Sequence, residues 1–160
     1  MLEAKFKCCN IGKPLLDNNV FNINDLKTGI IAACDRYLQY LGWTDANKKE
    51  IYEGDVLELV ITPELMDIKQ DGFSNSNLGK RIKELGDVTS VLLVFSADAK
   101  FMSTQYEMYF CRNGKLERDD DNEPDAEACG HDFSFSQYLC NKGAIIVANI
   151  VANPTYLDNR

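Results

Sequence analysis

Apolar residues along this chain fall in short runs broken by turn residues, not in long amphipathic stretches. Residues 88–96 are β-branched and apolar almost throughout, which predicts a central strand covered on both faces. Residues 105–111 alternate enough to be its half-exposed neighbour, and Asn113-Gly114 turns the chain after them. Residues 56–61 predict another strand, ended by Pro63, with a shorter one at 50–52. Residues 4–8 and 143–151 predict the first and last strands, and the strict alternation at 133–136 predicts one more. Residues 26–41 fit both periods: Leu26, Ile30, Ala33 and Tyr37 recur at helical spacing, whereas 37–41 suit an aromatic strand. One helix is expected at 78–85, capped by Asn75 or Ser76, with Leu78, Ile82 and Leu85 on one face and Gly86 past its end. Residues 64–75 are polar and turn-rich and read as a loop.

Short strands, frequent turns and one helix predict a mainly β fold, a small barrel with an N-terminal strand region, with α+β as the alternative. One hundred and sixty residues suit a single domain. Within it, 1–36 read as an N-terminal elaboration, 40–62 and 88–157 as the barrel, and 63–87 as a loop plus helix insertion. No apolar run is long enough to span a membrane, and the N-terminus turns charged at once, unlike a secretory signal. The expected location is therefore the cytoplasm. Six cysteines without framework spacing then read as free thiols.

The formal charge of −8 changes the picture further, because it is uneven. Residues 1–44 carry five basic and four acidic side chains, whereas 101–160 carry five and ten. Such a field repels phosphates, so nucleic acid is disfavoured as a partner. Residues 117–127 hold seven acids and Pro124, and read as a solvated loop.

One stretch carries a specific pattern. Tyr40, Gly42, Asp45 and Asn47 precede the unbroken block Lys49-Glu50-Ile51-Tyr52-Glu53-Gly54-Asp55. Near the end, Asn149-Ile150 is followed by Asn153-Pro154 and Leu157. The two segments resemble the signatures of the YopX family of phage and prophage proteins, Y-T-G-L-x-D-x-N-G-K-E-I-Y-E-G-D-I and G-N-I-Y-E-N-P-E-L, in the same order. Leu41, Trp43 and Lys48 replace the usual Thr, Leu and Gly, and Ala148, Val151 and Ala152 replace Gly, Tyr and Glu. Residues 65–140 are longer than the family's pattern, which marks a divergent member. The resemblance implies an SH3-like architecture, a strand over 36–41 and a setting in the bacterial host. The first block also reads as turn chemistry, with a positive φ at Asn47 or Lys48 and a second tight turn at Gly54.

Candidate chemistry is sparse. His131 is the only histidine, and Cys129, His131 and Asp132 are adjacent in sequence, which is not the folded geometry of a nucleophile and base. Cys111, Cys129, His131 and Cys140 suit zinc by type but lack the paired spacing of a metal site. The acids at 119–127 lack the glycine and closing geometry of a calcium loop. No phosphate loop is present. No cofactor and no metal are therefore assigned, and no catalytic residue. Trp43, Tyr52, Tyr106 and Tyr109 read either as core aromatics or as a base-stacking platform.

The expected function is a non-enzymatic interaction module with a host or phage protein as partner, and a homo-oligomer is also compatible. A nucleic-acid-associated module is the alternative, and a thiol- or metal-dependent hydrolase ranks last. Candidate contact residues are Trp43, Lys48, Lys49, Asp119, Asp120, Asp121 and Glu123. Convergence of Lys48, Lys49, Lys80, Arg81 and Lys83 beside Trp43 or Tyr52 would favour nucleic acid.

Overall fold

The structure is a computed structural model that describes residues 5–15, 20–22, 24–25, 34–69, 72–98, 103–119 and 132–160. Among them the strands are β1 (Lys5–Cys9), β2 (Val20–Asn22), β3 (Arg36–Thr44), β4 (Glu50–Tyr52), β5 (Asp55–Val60), β6 (Val88–Asp98), β7 (Ser103–Arg112), β8 (Lys115–Arg118) and β9 (Ile145–Asn149). Helix α1 spans Asn77–Leu85 and α2 spans Asp132–Asn141. The fold is mainly β, as the patterning predicts. Two antiparallel sheets carry it, in the orders β2-β1-β3-β4 and β8-β7-β6-β5-β9. No closed barrel forms among the described residues, since the expected barrel strands divide between the two open sheets.

Sheet periodicity explains the layers. On β5 and β6, Leu57, Leu59, Val91, Leu93 and Phe95 point to one side and pack with Trp43, Ile51, α1 and α2. Val56, Leu92 and Val94 point to the other side and are covered by the C-terminal segment through Ile150, Tyr156 and Leu157. That double burial is why 88–96 has no polar face. A third cluster joins Cys9, Leu38, Tyr52 and Ala152.

Residues 133–136 are not a strand but part of α2. Phe135 and Leu139, and Ser136 and Cys140, recur four apart towards the core, and a four-residue alternation is too short to define a period. Among the described residues α2 is thus a helix that the patterning does not predict. The acidic stretch also begins later than expected, because Glu117 and Arg118 pair in β8 with Phe110 and Tyr109. The last strand is shorter than 143–151, since the backbone turns after Asn149. Residues 26–33 lie outside the described residues, whereas 36–44 are strand.

Helix α1 follows its sequence signals closely. The Ser76 hydroxyl accepts from the Gly79 N–H at 3.0 Å, and the Gly86 N–H closes the last turn on Ile82 at 3.1 Å. Before it, Phe73 is fully buried and stacks on Tyr138, centroids 6.2 Å apart, inside a stretch read as polar loop.

The two sheets meet at the turn between β4 and β5. The Glu53 N–H donates to Gln39 O on β3 and the Gly54 N–H donates to Phe95 O on β6, both at 2.9 Å. Gly54 O accepts from the Ile150 N–H at 2.8 Å. Two residues therefore bind one sheet, the other sheet and the C-terminal segment together.

Candidate functional site

The recognisable residues converge on that turn. Gly54 has φ 83°, and a Cβ there would lie 2.7 Å from Val151 Cγ2 and 3.0 Å from Asn149 Oδ1. Glycine is required by both conformation and space. Asn149 is buried, and its amide donates to Asp55 Oδ1 at 2.9 Å and to Glu53 O at 3.0 Å. Its Oδ1 accepts from the Val151 and Ala152 N–H groups at 2.9 and 3.1 Å. Asp55 Oδ2 accepts from the Tyr52 N–H at 2.7 Å. The two sequence segments are thus halves of one clamp.

The upstream motif residues pin the β3–β4 connection. Asp45 is buried, and its Oδ1 accepts from the Asn47 and Lys49 N–H groups at 2.8 and 2.9 Å. Its Oδ2 accepts from the Ile146 N–H on β9 at 3.0 Å. Lys48 takes the positive φ expected at 47 or 48, at 65°. Gly42, φ 93°, sits in the register shift between Tyr40 and Thr44, where β3 holds more residues than β4 opposite. Tyr40 tilts against Tyr52 at 5.6 Å, and Ile51 is fully buried. Asn153 donates its N–H to Asn149 O at 2.9 Å, and exposed Pro154 follows it.

Beside the clamp lies a cavity of about 580 Å³, lined by three stretches of chain. Lys7 and the loop 12–15 form one wall, Lys49, Glu50 and Asp55 a second, and 146–149 with Ala152, Asn153 and Tyr156 the third. Lys7 is buried, with its ammonium 4.8 Å from the centroid of the Tyr52 ring. Glu50 Oε1 accepts from Lys5 Nζ at 2.9 Å and Oε2 from Tyr52 Oη at 2.8 Å. The Lys5 bond holds Glu50 below the usual carboxylate range. Burial pushes Asp55 up to about 6, against the opposing pull of Asn149, the Tyr52 N–H, Lys7 and Lys49. Burial, with the bond to Glu50, likewise raises the Tyr52 phenol.

The other candidates lie apart. Trp43 is buried edge-on to Phe95, centroids 5.0 Å apart, so its ring belongs to the core. Tyr106 packs between Phe95 and Phe135, and Tyr109 lies over the opposite sheet face, so the four aromatics form no single platform. Exposed Lys48 is at the turn and Lys49 in the cavity wall, whereas Lys80, Arg81 and Lys83 are on α1. Lys83 donates to Ser74 O at 2.8 Å, and Arg81 lies 3.5 Å from Asp119. Asp120, Asp121, Glu123, Cys129 and His131 lie outside the described residues. Cys111 is on β7 and Cys140 is buried in α2. Among the described residues no cluster of three or more His, Cys, Asp and Glu could hold a metal ion, and no helix is long and apolar enough to cross a membrane.

Sequence reasoning missed Lys7, Lys13, Leu15 and Tyr156 as wall residues. Lys7 alone leaves a trace, as a lysine in line with Lys5 on the strand expected at 4–8; Lys13, Leu15 and Tyr156 leave none. A family model described as YopX protein matches residues 6–157. No curated protein and no solved structure matches.

Proposed function

The chain belongs to the YopX family, and from that premise we propose that it is a phage or prophage protein that acts by binding and not by catalysis. Its setting is the cytoplasm of the bacterial host, and its partner a host or phage protein. One observation carries the reading: the family's two sequence segments build one wall after another of a single cavity, while their carboxylates hold the fold. Each oxygen of Asp55 and of Glu50 already accepts a hydrogen bond from the protein. Both carboxylates are thus engaged in holding the turn and the Lys5 ion pair. What the walls offer is size, since about 580 Å³ falls among cavities that enclose small ligands or a partner's side chains.

Affinity capture from host lysate tests this, with the tagged full chain compared with Lys13→Trp. Lys13 is exposed at the cavity rim, so the variant crowds the opening without entering the core. The expected result is a protein captured by the wild type and lost from a variant of unchanged melting temperature. Equal capture by both would overturn the cavity as the binding element.

A further inference from the structure

We propose that Cys8 and Cys34 form a reversible redox pair, in which a hydroperoxide oxidises Cys34 and Cys8 closes a disulfide on it. Neither thiol lines the cavity, so the pair stands apart from the binding reading.

Strand pairing brings the two cysteines together. On β1, Cys8 stands opposite Tyr37 of β3, and Cys9 opposite Arg36. Opposed residues share a face of the sheet, so Cys8 and Tyr37 look one way and Cys9 the other. Just before β3, Asp35 is fastened to the chain leaving β1. Its carboxylate accepts from the Ile11 N–H at 2.9 Å, and its own N–H donates to Asn10 Oδ1 at 3.4 Å. Cys34 therefore sits at the mouth of the β1–β3 pair. Its Sγ donates to Arg36 O at 3.4 Å, and its thiol also hydrogen-bonds the side chains of Cys8 and Tyr37. The two sulfurs thus meet, as a disulfide requires.

Exposure assigns the roles. Cys34 is half-buried, whereas Cys8 is only 4% exposed, so an oxidant from solvent reaches Cys34 first. The Cys34 thiolate attacks the peroxide, the O–O bond breaks, and Cys34 becomes a sulfenic acid while an alcohol or water leaves. Cys8 then gives up its proton and attacks the Cys34 sulfur. The S–O bond breaks as the S–S bond forms, and the departing hydroxide takes that proton as water. Two electrons pass from the sulfurs to the peroxide, which is the whole redox balance. Burial pushes the Cys8 thiol up to about 11, and the bond to Cys34 with the charges of Cys34, Cys9 and Asp35 pushes the same way. The second step is therefore slow at neutral pH, and the sulfenic acid persists. Cys9 packs instead with Leu38, Tyr52 and Ala152, which leaves Cys8 as the resolving thiol. The bridge closes residues 9–33 into one covalent loop, which contains the cavity wall at 12–15.

The test treats the reduced full chain, freed of reductant, with one equivalent of hydrogen peroxide. Remaining thiols are then blocked, and unreduced digests are mapped by mass spectrometry. The expected result is a Cys8–Cys34 linked peptide with four blocked thiols in place of six, and all six return with dithiothreitol. Dimedone present during oxidation should label Cys34 at pH 7, and label it less at pH 9, where Cys8 ionises more. Cys8→Ser should lose the bridge and gain dimedone label at Cys34, whereas Cys9→Ser should keep the bridge. If Cys8→Ser fails to fold, Cys34→Ser at the half-exposed position decides: it should leave Cys8 unlabelled. Six thiols surviving the peroxide, or a bridge from Cys34 to any cysteine other than Cys8, would overturn the proposal. Dimedone label on Cys8 in a folded Cys34→Ser would overturn the order of attack and the proposal with it.

Discussion

A single carboxylate, Asp45, satisfies three backbone N–H groups, one of them 101 residues away in sequence. Removing it would strand those donors where water reaches poorly, at about 1–3 kcal/mol for each that stays unsatisfied. Asp45→Ala is expected to cost about 2–4 kcal/mol, read by urea denaturation, and a loss under about 0.5 kcal/mol would contradict the pin. Gly54 makes a complementary case, in which a side chain is excluded and not required. Gly54→Val would force a branched residue into φ 83° against Val151 and Asn149, and strain plus overpacking cost at least about 2 kcal/mol. An unchanged melting temperature would remove the clamp argument. Both residues stood out in the sequence as turn formers, because turn chemistry is local. Their long-range partners did not, because nothing near Asp45 in sequence announces Ile146.

Among the elements, α1 shows how tertiary contact can reverse a propensity. Alanine in place of glycine inside a helix ordinarily stabilises by about 1 kcal/mol. At Gly79 a Cβ would lie 2.1 Å from Phe73 O and 2.8 Å from Ser74 Cα, both backbone atoms that cannot swing aside. Gly79→Ala is therefore expected to destabilise by about 1–3 kcal/mol, and stabilisation in a denaturant melt would refute the contact. The helix itself was readable, caps included, since Ser76, Leu78, Ile82 and Gly86 act through neighbours within a turn. Helix α2 was misread because its two-residue alternation competes with a four-residue spacing that shows only once Leu139 and Cys140 are placed in the core.

For the molecule as a whole, Asp55 couples the clamp to pH. Its carboxyl titrates near 6 in the folded chain, above the ordinary 3.8. Between those values the folded state holds the extra proton, so this group's contribution to stability falls as pH rises through about 4 to 6 and is level above. The span is worth up to about 3 kcal/mol. Glu50 and Glu58 are shifted downwards and act in the opposite sense, so the comparison must be with Asp55→Asn. Urea unfolding at pH 4.5 and 7 should show the variant gaining on the wild type as pH rises, and parallel curves would exclude the coupling. A second global expectation concerns the thiols. Cys8, Cys9, Cys34, Cys111 and Cys140 are free, and six reactive thiols are expected in denatured, unreduced protein; four would mean a disulfide. The mainly β class, the turns at Lys48, Gly54 and Asn113-Gly114, helix α1 and the family were all determined by the sequence alone. Each depends on hydrophobic period or on backbone preferences within a few residues. The division into two open sheets, the burial of Trp43, the joining of Asp55 to Asn149 and the lysine-lined cavity were decided only by the tertiary structure. They bring together residues 5–15, 45–55 and 146–156, whose proximity follows from sheet pairing across most of the chain and leaves no local trace.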